Sequence, residues 1–148
     1  MDINKWDLRF LNIAKEMANC SKDPSTKVGA VIVDAQNRIV SAGFNGFPQK
    51  ISDDTYRLND RELKYKYTIH AEANALLFSK RDIQGHVIYV YPFMPCAECT
   101  KMIIQCGISK VVSYKTTEEK LIRWKDTFDL AQELLEEAGV ELVLYDNE

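Results

Sequence analysis

The chain has 148 residues, 46% of them hydrophobic and 28% charged, which is ordinary globular composition with enough length to bury a core. Nineteen basic residues against 22 acidic ones leave a net charge of −3, so no global positive field draws the chain to nucleic acid. Its apolar runs are too short to span a bilayer, and the opening "MDINKWDLRFLNIAKEMA" is unlike a secretory signal. The expectation is one domain over 1–148, cytoplasmic, with neither a nucleic-acid nor a membrane partner.

Trp6, Phe10, Ile13, Ala14 and Met17 recur at helical spacing and predict an opening amphipathic helix, broken by "KDPST". "KVGAVIVD" reads as a strand covered on both faces, and "RIVSAG" returns after "AQN" as its hairpin partner. From Phe44 to Thr68 no period is readable, and a loop this long inside a compact domain is usually functional or ordered by a ligand. Helix resumes at "HAEANALLFSK", followed by the strand "HVIYVY", the short helix "CAECTKMIIQC" and the strand "KVVSY". A long helix, "TEEKLIRWKDTFDLAQELLEEA", stops at Gly139, and "VELVLY" adds a fifth strand. A hairpin followed by strand–helix alternation predicts a mixed five-stranded sheet with helices on both faces, a three-layer α/β/α sandwich.

Four cysteines in a reducing compartment are more often ligands or catalytic groups than disulfides. Cys20 and Cys106 lie in or beside apolar helical stretches and are expected to be small buried residues. Cys96 and Cys99, spaced i, i+3 at a helix start behind Pro95, project from one side. The helix N-terminus favours their thiolates, the form that binds zinc. Of the two imidazoles, His70 is the better third ligand because Glu72 accompanies it, whereas His86 opens a strand and reads as structural. In a regular helix residues two apart point about 200° from each other. His70 and Glu72 can therefore converge only at the irregular first turn, where the pattern places them.

Three ligands leave a fourth zinc position open, the arrangement of a catalytic site. A non-catalytic zinc module is the rival from another class, and it lacks an obvious fourth ligand. H-x-E followed by P-C-x-x-C is the known signature of zinc nucleobase deaminases. In that chemistry zinc acidifies a water, and Glu72 would carry the proton from water to the ring nitrogen and then to departing ammonia. The Ala71 N–H at a helix start is a candidate donor to a pyrimidine carbonyl. Asn45 is a candidate ribose contact, or simply the residue of an Asn-Gly turn.

"PSTKVGAVIVD", "IVSAGFNGFP", "HAEANAL" and "MPCAEC", in this order between about Trp6 and Tyr145, resemble the deoxycytidylate (dCMP) deaminases of the cytidine deaminase superfamily. The resemblance implies a cytidine-deaminase-like fold, zinc on His70, Cys96 and Cys99, Glu72 as proton shuttle, and conversion of dCMP to dUMP and ammonia for thymidylate synthesis. It also implies Asn45 on the sugar, and Lys27 with the basic residues of "DDTYRLNDRELKYKYTIHAE" on the nucleotide. Within that insert Arg57, Arg61, Lys64 and Lys66 would meet a phosphate or an effector, or alternate with acids on a solvated face. Many members are hexamers activated by dCTP and inhibited by dTTP, with Mg2+ accompanying a triphosphate effector. The loop of Gly43, Phe44 and Gly46 would contribute to that effector site, Phe44 replacing a tyrosine that is also common there. Tyr114 is a candidate to stack on the base, or a core-edge tyrosine. Trp124, beside Arg123, is expected in core or subunit packing. dCTP, free cytidine and a tRNA adenosine remain alternative substrates.

Overall fold

The structure is a computed structural model and describes residues 2–147. A helix α1 (Lys5–Asn19) precedes the antiparallel hairpin β1 (Gly29–Val33) and β2 (Ile39–Phe44). Two short helices, α2 (Thr55–Asn59) and α3 (Arg61–Tyr67), lead to α4 (Ala71–Phe78). The chain then alternates through β3 (Val87–Tyr91), α5 (Ala97–Gln105), β4 (Lys110–Tyr114), α6 (Glu118–Ala138) and β5 (Glu141–Tyr145). The sheet order is β2-β1-β3-β4-β5, with β3, β4 and β5 mutually parallel and β1 antiparallel to both its neighbours, β2 and β3, so the expected mixed sheet is present. None of the described helices is long and apolar enough to cross a membrane.

All five residues of β1 are buried, because alternate side chains meet different helical layers. Val31 and Val33 pack with Phe10, Leu11 and Ala14 of α1. Ala30 and Ile32 pack with Ala71 and Ala75 of α4, Ile103 of α5 and Phe128 of α6. The buried face of α1 is Asp7, Phe10, Leu11, Ala14 and Ala18, whereas Trp6 and Ile13 are exposed. Asp7 stands in this otherwise apolar face because its carboxylate accepts from the hydroxyls of Tyr89 at 2.7 Å and Tyr145 at 2.6 Å. Those bonds tie α1 to β3 and β5.

Cys20 and Cys106 are exposed, contrary to expectation. Each is the C-cap of its helix, one residue or more beyond the last position that faces the sheet. Gly139 takes the left-handed conformation that ends α6 (φ 75°).

Two glycines set how closely helices approach the sheet. A Cβ on Gly29 would lie 2.0 Å from the Ala14 carbonyl oxygen of α1. A Cβ on Gly43 would lie 2.6 Å from the Ala75 nitrogen and 2.7 Å from the Ala71 carbonyl oxygen of α4. Gly43 is thus spent on seating the helix that carries Glu72 against β2.

The stretch from Phe44 to Thr68 is more ordered than its sequence suggests. Gly46 and Ile69 exchange backbone hydrogen bonds at 3.1 and 2.8 Å, closing the base of the excursion. Asp60 caps α3 by accepting from the Leu63 N–H at 3.1 Å.

Candidate active site

His70 is the N-cap of α4 and Cys96 the N-cap of α5, and both helices start on the same face of the sheet. The extended backbone at each cap (ψ 154° and 172°) turns its side chain away from the helix axis and towards the other helix start. The His70 Nδ1 lies 3.6 Å from Cys96 Sγ and 3.3 Å from Cys99 Sγ. These three donor atoms all fall within 4.8 Å of one another. An imidazole nitrogen and two sulfurs gathered this closely fit zinc, which favours N and S donors.

Within the trio the two thiols are driven apart: the hydrogen bond with Cys96 and burial hold the Cys99 thiol above the usual thiol range. The Cys99 thiol donates to Cys96, and with His70 beside it this holds the Cys96 thiol well below the usual thiol range. The hydrogen bond with Cys96 holds His70 above the usual imidazole range. Glu72 is 4% exposed, and burial pushes its carboxyl up to about 7 while the neighbouring His70 pulls it down.

These groups open onto a cavity of about 340 Å³, lined on this side by His70, Ala71, Glu72 and Cys96. Asn45, Arg61 and Lys64 also reach its lining, so the cavity brings together seven of the candidate residues from distant segments. Asn45 is buried, and its amide grips the single backbone segment that leads into β1. Its Oδ1 accepts from the Val28 N–H at 2.9 Å, and its Nδ2 donates to the Thr26 carbonyl at 2.9 Å.

The other candidates lie outside the lining. Lys27 is exposed while its neighbours Thr26 and Val28 line the cavity, because alternate residues of an extended segment face opposite ways. Tyr114 is on the wrong side of the sheet for stacking on a base. Alternation along β4 sends Val112 and Tyr114 to the α1 layer, where Tyr114 meets the Tyr91 ring edge-on at 6.1 Å. Gly43 underlies α4, Gly46 closes the base of the insert, and the Phe44 carbonyl accepts from Asn74 at 2.8 Å. Arg57 is committed within the insert, donating to the Ser52 carbonyl at 3.1 Å and covering the Tyr67 ring at 4.7 Å. Lys66 is exposed and points elsewhere than the cavity.

Sequence reading missed Asp23, Phe93, Arg123, Trp124 and Thr127, all of which line the cavity. The signals were an Asp-Pro turn, an aromatic three residues before Cys96, and a helix expected to be regular. In fact α6 breaks at Trp124 (φ −117°, ψ 21°), and the break presents Arg123 and Trp124 to the cavity. Trp124 still packs, its ring 5.4 Å from Phe93 and 6.3 Å from Phe128, so the expected packing role coexists with the lining. Thr127, one turn on, accepts from the Ala97 N–H at 2.9 Å and so caps α5 from another helix.

Residues 4–115 match the family of the cytidine and deoxycytidylate deaminase zinc-binding region. A deaminase encoded in the luxG 3′ region of Aliivibrio fischeri is 49% identical over 140 residues, covering 95% of this chain and 93% of that one. The deoxycytidylate deaminase of Mus musculus is 41% identical over 128 residues, covering 80% of this chain and 71% of that one. The dCMP deaminase of cyanophage S-TIM5, solved with dCMP and dUMP, superposes with a TM-score of 0.73 at 26% identity, over 96% of this chain and 98% of that one. A cap-to-cap histidine and cysteine trio, a buried glutamate beside it and a match spanning most of the sequence place this chain in the cytidine and deoxycytidylate deaminase family.

Proposed function

We propose that residues 1–148 act as a single deaminase domain that hydrolyses dCMP to dUMP and ammonia, feeding thymidylate synthesis. The observation that carries this reading is one cavity lined by His70 and Cys96 of the donor trio, a buried Glu72 and two arginines free of ion pairs, Arg61 and Arg123, among the described residues.

Zinc held by His70, Cys96 and Cys99 supplies Lewis-acid activation of a water molecule. Glu72 takes one proton from the attacking water and delivers it to the ring nitrogen as the C–O bond forms, then takes the second from the new hydroxyl and hands it to the amine, which leaves as ammonia when the C–N bond breaks. The Ala71 N–H, at the start of α4, donates to the pyrimidine carbonyl oxygen. Asn45, fixed on both sides by backbone, offers its second amide hydrogen to a sugar hydroxyl. Trp124 and Phe93 form an apolar wall for the base. Arg61 and Arg123 take the 5′-phosphate by charge-assisted hydrogen bonds.

The finer reading follows the family resemblance: a cytoplasmic homo-oligomer, a hexamer, activated by dCTP with Mg2+ and inhibited by dTTP. In the chain only the self-association in that reading has support, from Leu77, Phe78 and Met102 on α4 and α5, which are 60%, 46% and 42% exposed. Ammonia release from dCMP, dCTP, deoxycytidine and an adenosine stem-loop tests the substrate. Release from dCMP alone is expected, and equal release from deoxycytidine overturns the phosphate role. Mass in solution and rates with added dCTP or dTTP test the finer reading.

A further inference from the structure

Lys64 was expected to meet a phosphate, and its surroundings assign it elsewhere. Its ammonium lies 3.0 Å from Asp23 Oδ1, with side chains 6% and 11% exposed. Among the described residues this is the only ion pair in which both partners are shielded from water. A lysine this buried is rare unless it is paired.

The same Asp23 oxygen accepts from the Ser25 N–H at 2.8 Å and the Thr26 N–H at 3.0 Å, holding a turn that lines the cavity. The Asp23 N–H donates to Ser21 Oγ at 3.2 Å, and that hydroxyl donates to the Asn45 carbonyl at 2.8 Å. Behind Lys64, its own carbonyl accepts from the N–H at 3.0 Å and the Oγ1 at 2.7 Å of Thr68, the C-cap of α3, two residues before His70. A single ammonium thus connects the approach to His70 with the turn whose backbone Asn45 grips.

We infer that Lys64 and Asp23 form a buried latch that holds α3 across the cavity mouth and sets the Ser25–Thr26 wall for the nucleotide, Lys64 being a positioning residue and not a phosphate ligand. The inference rests on the nucleotide reading above. Moving the ammonium to a phosphate would strand the Asp23 carboxylate in a shielded site, at a large electrostatic cost. Arg61, on the same short helix, carries no such obligation.

The pairing makes a sharp kinetic contrast available, because Asp23→Asn leaves the lysine charge in place. If Lys64 were a phosphate ligand, D23N would free it, and KM for dCMP would hold or fall. The latch requires D23N and K64M each to lower kcat/KM by about tenfold to a hundredfold, mainly through KM, as expected of a displaced pocket wall. It also requires the double variant to be no worse than either single one. Hydrogen exchange adds a readout that needs no substrate: the Ser25 and Thr26 amides lose protection in both variants. A raised KM in K64M alone overturns the latch, as does a lowered melting temperature with wild-type KM and wild-type protection of those amides. If K64M fails to fold, D23N, which removes charge and no bulk, carries the same decision. If the wild-type protein leaves dCMP untouched, the substrate reading fails, and amide protection still decides the latch.

Discussion

The two walls of the cavity are built on different principles. On the metal side His70, Glu72, Cys96 and Cys99 sit at the starts of α4 and α5, where cap geometry and i, i+3 spacing place them. On the opposite side Asp23, Arg61, Lys64 and Arg123 come from three remote segments and are placed by tertiary contacts. The contrast teaches that chemistry needing fixed atoms is anchored in helix termini. The opposite wall is left to side chains that only tertiary contacts bring together. Mutations on the metal side should therefore abolish turnover, while those across the cavity should weaken binding.

Removing a metal donor is the most severe way to test the first half. Cys99→Ala, or chelation of the wild type, is expected to abolish activity with loss of stoichiometric zinc, and added zinc should restore only the chelated wild type; metal analysis beside the assay checks both. Glu72→Gln keeps the donors and removes the proton carrier, so a loss of about 10²–10⁴ in kcat with full zinc content is expected. A Glu72→Gln enzyme at wild-type rate would dissolve the distinction between the walls.

Across the cavity the effect should shift from kcat to KM. On the proposed reading Arg123→Ala and Arg61→Ala each remove a charge-assisted contact of about 1.5–3 kcal/mol, roughly ten- to a hundredfold in KM for dCMP. Unchanged KM in both would move the phosphate elsewhere. Thr127 joins the two walls, and the pair Thr127→Val and Thr127→Ser separates its hydroxyl from its methyl group. The valine variant should cost about 1 kcal/mol of stability and release zinc faster to a chelator, while serine stays near wild type. Asp7, on the far face of the sheet, provides the control. Asp7→Asn leaves one tyrosine hydroxyl without its acceptor and should cost about 1–3 kcal/mol in denaturation, with KM for dCMP unaltered.

The metal wall was legible because every determinant is local. Cys96 and Cys99 are one helical turn apart, and His70 with Glu72 straddles a helix start. The nucleotide wall was legible only as a set of basic residues in a polar stretch. Which of them faces the cavity depends on α3 being laid over the 23–26 turn, and neither partner of that contact carries a periodic signal. Tyr114 was misplaced for a related reason. Its strand was read correctly, but the face it occupies depends on register against β3 and β5, which strand propensity does not specify. Trp124 and Arg123 were masked by an apparently continuous helix, which breaks at Trp124, where the indole packs on Phe93 and Phe128.

By itself the sequence determined the order of the five strands and of four of the six described helices, and it marked the candidate zinc donors and proton carrier, because hydrophobic period and short spacings act over a few residues. The tertiary structure alone decided which cations remain free for a phosphate. That choice turns on whether a distant carboxylate has already neutralised the charge, and at Lys64 Asp23 has done so.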